Sequence, residues 1–291
     1  MTCKRIAAWT LCLSILCFLA AAAPSLASPP QVATDVPLVP VDGSGFVMLR
    51  ACIFLAEMSC EDADCVLRVR QTYQLHNSDR VEGATLRLGV PSRVGDETVQ
   101  MPELTLQDEK GEALAPISSD ELYGSIWEVE LDPNARETLV LSYVHPTCHG
   151  HLVRWCWAMP LLSSWGGVES ARVALKLPQY TTDDAFLLLE PYPCTFDGTT
   201  LSWEYENPEI SPPHELVMLS PPTWRQLNDL RASGAHRDLA DLYIAVQEAA
   251  EREGAPFSDH FDQILAELEA ALNSEPDDVD TRVKLAELLQ A

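Results

Sequence analysis

Residues 67–75 are Leu-Arg-Val-Arg-Gln-Thr-Tyr-Gln-Leu, and their alternation of apolar and polar side chains decides the fold class. Successive side chains of a β-strand point to opposite faces, so a period of two predicts a strand with one apolar and one polar face. A single strand cannot bury its own apolar face. A second layer of structure must therefore cover it.

The same period of two recurs across most of the chain between Phe46 and Leu219. It is present in residues 84–90, 127–131, 139–143, 171–177 and 201–205. About ten short strands with turn sequences between them predict a two-sheet antiparallel β-sandwich over residues 46–220. No helical crossovers separate the strands, which argues against a parallel α/β sheet.

The pattern changes at Pro221. Apolar residues then recur at spacings of three and four, as in Trp224, Leu227 and Leu230, which predicts about four amphipathic helices over residues 221–291. The expected fold is therefore mainly β, with a helical module at its C-terminal end.

The last helices resemble part of a tetratricopeptide repeat. Ala271 lies five residues before Pro276, and Leu285-Ala286-Glu287-Leu288 follows, as at a junction between two such repeats. Only about one and a half repeats fit, whereas arrays need about three to be stable alone. We therefore expect the helices to pack on the sandwich or on a protein partner. The apolar face available for a partner would comprise Phe261, Leu265, Leu268, Leu285, Leu288 and Leu289.

Residues 1–27 have the pattern of a signal peptide. Lys4 and Arg5 precede an apolar run, and Ser25-Leu26-Ala27 offers small residues for cleavage. The alternative is an uncleaved membrane anchor, because the run is close to the shortest membrane span. We expect an exported protein, either secreted or held in the cell envelope. Residues 28–45, rich in proline and small residues, are predicted to be a linker or leading arm.

The net charge of the chain restricts the kinds of molecule that it can bind. The chain has 19 basic and 44 acidic residues and a formal net charge of −25. Removal of the predicted signal, with Lys4 and Arg5, would make the charge more negative still. Such acidity excludes the phosphate backbone of nucleic acids and disfavours anionic membrane surfaces. We expect a protein partner, with membrane attachment only through an uncleaved signal.

Cysteine usage indicates disulfides. Three of the nine cysteines belong to the predicted signal, and the even number that remains is typical of an exported, disulfide-bonded chain. Fifteen pairings of six cysteines are possible. Local spacing favours Cys60–Cys65 across an acidic turn and Cys148–Cys156 across a predicted hairpin, with Cys52–Cys194 as the remaining pair.

No motif for catalysis is present: the chain lacks a nucleophile elbow, a zinc-peptidase histidine pair, a P-loop and a dinucleotide-binding glycine pattern. We therefore expect a non-enzymatic protein without a cofactor. One alternative is metal binding by His145, His149 and His151, since imidazoles two residues apart share a face of an extended chain. Solvated histidines in a hairpin loop are the simpler interpretation.

A second alternative is a carbohydrate-binding or glycan-acting protein. Trp155, Trp157 and Trp165 are close together in sequence, and indole rings can stack on sugars. The competing interpretation is that these rings fill the core of the sandwich.

Two further segments resemble bacterial exported β-sandwich domains of unknown function. Residues 73–91, Tyr-Gln-Leu-His-Asn-Ser-Asp-Arg-Val-Glu-Gly-Ala-Thr-Leu-Arg-Leu-Gly-Val-Pro, form a strand, an Asn-containing turn and a strand ending at proline. Residues 165–168 and 171–178 have a comparable pattern. The resemblance implies an exported sandwich, and our leading hypothesis is a protein-binding or scaffolding module.

Overall fold

The computed structural model describes residues 33–290 apart from 43–44, 62–63, 96, 100, 209–211 and 254–260. The predicted signal peptide, 1–27, lies outside the described residues. Gln31–Ala291 forms one compact unit, so the helices are not a separate body from the sandwich.

Seventeen strands are present in the described part of the chain. They are β1 Ala33–Asp35, β2 Val39–Pro40, β3 Val47–Glu61, β4 Asp64–Asn77, β5 Ala84–Pro91, β6 Arg93–Val94, β7 Glu97–Thr98, β8 Thr105–Gln107, β9 Ala113–Leu114, β10 Tyr123–Leu131, β11 Arg136–His149, β12 Leu152–Trp157, β13 Val168–Lys176, β14 Phe186–Glu190, β15 Thr195–Phe196, β16 Thr200–Glu206 and β17 His214–Leu219. Two 3-10 helices, Met159–Trp165 and Asp183–Ala185, precede β13 and β14.

The largest sheet has eight strands in the order β15-β16-β13-β3-β4-β11-β8-β9. A four-stranded sheet (β1-β12-β17-β14), a three-stranded sheet (β10-β5-β2) and the pair β6-β7 complete the β structure. Most pairings are antiparallel, which confirms the predicted fold class. Two pairs, β13 with β3 and β1 with β12, are parallel, and the chain between their strands supplies the required long connections.

Aromatic side chains join the two larger sheets. The Phe54 ring, on β3, lies 5.6 Å from the ring of Trp155 and 5.0 Å from that of Trp157, both on β12. All three side chains are fully buried. As the alternation of apolar and polar residues along β4 predicted, Leu67, Val69 and Tyr73 face this core. A layer of large apolar side chains between sheets is what the period of two requires.

The expectation of a linker at residues 28–45 is wrong for its described central part. Residues 34–40 are buried, with β1 beside β12 and β2 beside β5. Val36 and Leu38 have no exposed surface. Their apolar side chains fill space between the sheets, which outweighs the turn-forming tendency of the neighbouring prolines.

The predicted hairpin between Cys148 and Cys156 is also wrong. β11 pairs with β4 and β8, whereas β12 pairs with β1 and β17, so the chain crosses from one sheet to the other at Gly150 and His151. Consecutive strands often pair, but β11 and β12 belong to different sheets.

Four helices follow the sandwich: α1 Pro221–Ser233, α2 His236–Glu253, α3 Phe261–Ser274 and α4 Val279–Leu288. Trp224 and Leu227 of α1 and Val246 of α2 belong to the same buried cluster as the sheets. The helices therefore pack on the sandwich, which was one of the two alternatives expected from the sequence. No helix in the described ranges has both the length and the apolar content of a bilayer-spanning segment.

Candidate functional site

A cleft of about 830 Å³ opens at one end of the eight-stranded sheet. Its walls come from the start of β3, the 3-10 helix Met159–Trp165, the start of β13 and the chain just after β16. Buried apolar side chains line it: Val47, Met159, Leu162, Trp165 and Val168. Concave apolar sites of this volume are typical of ligand and partner binding.

The cleft wall is held in place from behind. The indole Nε1 of Trp165 donates a hydrogen bond to the carbonyl oxygen of Leu38 at 3.0 Å. Leu38 lies in the buried N-terminal segment, so the segment expected to be a linker supports the 3-10 helix. The polar atom of Trp165 is satisfied in the core, which leaves apolar surface for the cleft.

One exposed apolar side chain lines the cleft, and a second, Phe46, lies between the lining residues Gly45 and Val47. Met48 lines the cleft and is 41% exposed, and its neighbour Phe46 is 67% exposed. Polar groups are few, and one of them, Glu169, forms an ion pair of 2.5 Å with Arg50. The mouth is therefore an apolar surface with a charged pair beside it.

Gly166 and Gly167 form one edge of the cleft and differ in why they are glycine. Gly166 ends the 3-10 helix with φ of 72°, a left-handed conformation that favours glycine, and its N–H donates to the Ser163 carbonyl. Gly167 has no positive φ, and a Cβ placed on it would meet no atom within 4 Å. Neither backbone conformation nor packing requires glycine at 167, and its missing side chain widens the cleft.

The three tryptophans of the predicted carbohydrate site are buried and do not form an exposed surface. Trp155 and Trp157 have no exposed area, and Trp165 is 2% exposed. Trp155 donates its indole N–H to Asp35 Oδ2 at 2.6 Å inside the core. The hypothesis that all three rings stack on a sugar is therefore wrong, because a sandwich of this size uses its large rings to fill the space between sheets.

The two described histidines of the predicted metal site have different partners. His145 lies inside the sandwich with Nε2 2.9 Å from Asp35 Oδ1, whereas His151 Nδ1 lies 3.2 Å from Thr223 Oγ1 at the start of α1. Partial burial lowers the pKa of His151. The side chain of His149 lies outside the described residues. Among the side chains that are described, no three His, Cys, Asp or Glu groups are arranged to hold a metal ion.

One predicted disulfide is confirmed: Cys60 and Cys65 are bonded across the β3–β4 hairpin. The predicted Cys52–Cys194 pair is wrong, because both residues are thiols. Cys194 precedes β15, three strands from Cys52 on β3. Three strand spacings amount to about 14 Å, roughly twice the Cα separation that a disulfide spans. Cys148–Cys156 stays a prediction, since the Cys148 side chain is outside the described part.

The predicted partner face on the helices is largely packed within the chain. Leu268 is fully buried, and Leu285 and Leu288 pack against the core. Phe261 and Leu265 are half-buried, and Leu289 is 61% exposed. The stripes of α3 and α4 are therefore mainly the contacts that join the helices to each other and to the sandwich.

Sequence reasoning missed the cleft. Phe46 and Met48 stand just before a long strand, and Gly166-Gly167 follow a tryptophan, but nothing in one sequence indicates that these segments meet. The signal that could have been used is Gly167, a glycine that no predicted turn requires.

Comparison with known proteins supports the fold. No protein-family model matches the chain, and no curated protein matches it. A candidate nutrient binding protein from Legionella pneumophila is similar in structure, with a TM-score of 0.53, 10% identity, and coverage of 70% of this chain and 75% of that one. The M1 zinc metallopeptidase of Deinococcus radiodurans is more distant, with a TM-score of 0.32 and 9% identity; the match covers 62% of this chain and 43% of that one. At 10% identity, the similarity to the Legionella protein is one of fold.

Proposed function

We propose that this chain is a non-enzymatic binding protein whose cleft receives apolar side chains of a protein partner. The observation that carries the proposal is an apolar cleft lined by the exposed Met48, with the exposed Phe46 between the lining residues Gly45 and Val47. Exposed apolar surface continuous with a cavity is typical of protein interfaces, and methionine adapts its shape to different partner side chains.

The chain's acidity gives the partner a second property. With a net charge of −25, the protein attracts basic surfaces and repels acidic ones at long range. The proposed partner therefore has an apolar anchor with basic residues around it. An exported location is part of the proposal, and the Cys60–Cys65 disulfide supports it, because such bonds persist in oxidising compartments.

The test is site-directed photo-crosslinking in the native host, with a benzophenone side chain replacing Phe46. We expect a discrete protein adduct. The same adduct should disappear when Met48→Glu is added, since a buried carboxylate opposes an apolar contact. A benzophenone at Leu122, which is 73% exposed and outside the cleft, is the matched control and should not give this adduct. Equal adducts from both positions would contradict the proposal.

A small-molecule ligand is the second candidate function. The cleft volume lies within the range of small-ligand pockets, and the structurally similar Legionella protein is a candidate nutrient binding protein. Native mass spectrometry of protein purified from the host distinguishes the two. A bound small molecule that is lost in the Met48→Glu variant would favour this second function over a protein partner.

A further inference from the structure

Two exposed arginines, Arg68 and Arg70 of β4, lie on the outer face of the eight-stranded sheet. Both side chains are exposed and point to the same face, two residues apart. Arg70 is directly opposite Leu55 of β3 on one side and Ser142 of β11 on the other. We call these four residues the arginine patch.

Neighbouring cations on this face are already paired. Lys176 lies 2.7 Å from Glu57, and Arg172 lies 3.5 Å from Glu204. Glu57 is opposite Arg68 in the ladder but its carboxylate is taken by Lys176.

The two arginines of the patch lack such a partner. Arg68 donates to the hydroxyl of Ser59 at 2.9 Å. Within the described ranges, no carboxylate lies within ion-pair distance of Arg68 or Arg70. Their charge is therefore available to a ligand.

The spacing selects the shape of that ligand. Side chains two residues apart on one face of a strand are separated by about 7 Å, so an extended segment with carboxylates at alternate positions matches the two guanidinium groups. Each guanidinium can hold a carboxylate through two parallel hydrogen bonds.

We propose that the arginine patch docks an extended segment of a second partner protein, distinct from the basic partner proposed for the cleft, and that this segment has acidic residues at alternate positions. Leu55, 42% exposed beside Arg70, supplies an apolar contact, and the small side chain of Ser142 leaves room on the other side for a chain that runs along β4. Screening weakens repulsion from carboxylates more than about 8 Å away at physiological ionic strength, and the nearer Glu57 is already paired with Lys176. Repulsion from the acidic surface elsewhere on this protein keeps an acidic segment from binding there, so the segment binds at the arginine patch.

The proposal is tested by fluorescence anisotropy with the full chain and a labelled octapeptide containing glutamate at alternate positions. We expect saturable binding that weakens as salt rises. Arg68→Glu/Arg70→Glu should weaken it at least tenfold. The control Arg80→Glu/Lys110→Glu changes net charge by the same amount at two exposed turn positions outside the patch, and should retain binding within about twofold.

Three results would overturn the proposal. They are no binding by the unsubstituted protein at low salt, equal losses in the patch and control variants, or equal binding of a peptide whose glutamates form one block. Arg68→Gln/Arg70→Gln provides a variant without introduced repulsion should the reversed pair fail to fold. Sedimentation of the protein with phosphatidylglycerol vesicles, lost in the same variants, would assign the patch to a lipid surface instead.

Discussion

His145 Nε2 lies 2.9 Å from Asp35 Oδ1 in the interior of the sandwich, with side-chain exposures of 7% and 0%. The two atoms are at ion-pair distance without the alignment of a hydrogen bond. Asp35 Oδ2 also accepts the indole N–H of Trp155. This buried carboxylate thus joins β1, β11 and β12.

The network extends to β4. Gln71 donates to the Tyr143 hydroxyl at 2.7 Å and to the Val36 carbonyl at 3.0 Å, and it accepts from the Tyr73 hydroxyl. The N–H of Leu38 in turn donates to Tyr73. Burial, with the nearby Asp35 charge, raises the pKa of Tyr143, so this phenol is neutral at ordinary pH. The polar groups hold the N-terminal segment between the sheets.

We predict that Asp35→Leu destabilises the protein by roughly 3 kcal/mol or more, because the buried indole N–H of Trp155 loses its acceptor and the buried His145 loses the carboxylate beside it. Urea unfolding followed by tryptophan fluorescence measures the change. Asp42→Leu is the control: Asp42 pairs with Arg87 at the surface, so its loss should cost less than about 1 kcal/mol. Similar losses in both variants would show that the network does not hold the segment.

The second prediction concerns acid stability and His214. Burial lowers the pKa of His214 from 6.5 to about 4, and Trp157, Trp203 and Tyr205 surround its ring. The unfolded chain therefore takes up a proton near pH 6.5 that the folded protein resists until about pH 4. The stabilisation from this group is complete above pH 6.5 and is lost as pH falls through that window.

His214→Phe should remove this dependence. Between pH 7 and pH 4.5, the free energy of unfolding should fall by about 2 to 3 kcal/mol less in the variant than in the parent protein. The measurement is urea unfolding at both pH values, and taking the difference cancels the contribution of the many surface carboxylates. An equal decrease in the free energy of unfolding of both proteins would mean that protonation of His214 does not destabilise the folded state.

A third prediction concerns the thiols. Burial raises the pKa of Cys52 to about 12, so iodoacetamide at pH 8 should leave it unmodified in the native protein and alkylate it in guanidinium chloride. Mass spectrometry of tryptic peptides provides the readout, with the half-buried Cys194 as an internal comparison. If neither residue were alkylated even after unfolding, a Cys52–Cys194 disulfide would exist after all.

The fourth prediction concerns a variant whose added side chain fills the cleft. Gly167→Leu should fold normally, because no atom within 4 Å opposes a side chain there, while the partner adduct obtained through position 46 should be lost. Reduced freedom of the unfolded chain should leave stability unchanged or raise it by up to about 1 kcal/mol. Gly124→Leu, also without a contact at its Cβ and with no positive φ, is the control that should retain the adduct. Thermal unfolding and crosslinking together decide the outcome.

Local pattern accounts for most of the fold. The alternation of Leu67, Val69 and Tyr73 with Arg68 and Arg70 predicted a strand, and the structure has it in β4. The same logic located the C-terminal helices, and the short loop between Cys60 and Cys65 predicted the observed disulfide. These features depend on residues close in sequence, where periodicity and chain length restrict the geometry.

Pairing between distant segments was not predictable in the same way. Residues 34–40 contain prolines typical of a linker, yet they are buried, because the sheets leave a space that Val36 and Leu38 fill. The cleft likewise needs β3, a 3-10 helix and the start of β13 at one end of a sheet. Periodicity contains no information about which strand lies beside which.

By itself, then, the sequence determined the strand and helix content, the acidity and the local disulfide, since each follows from neighbouring residues or from composition. Only the tertiary structure decided that the tryptophans are core, that His145 meets Asp35 rather than His151, and that Gly167 borders a cleft. Those outcomes depend on how sheets stack to exclude water from apolar faces, which is a property of the whole chain.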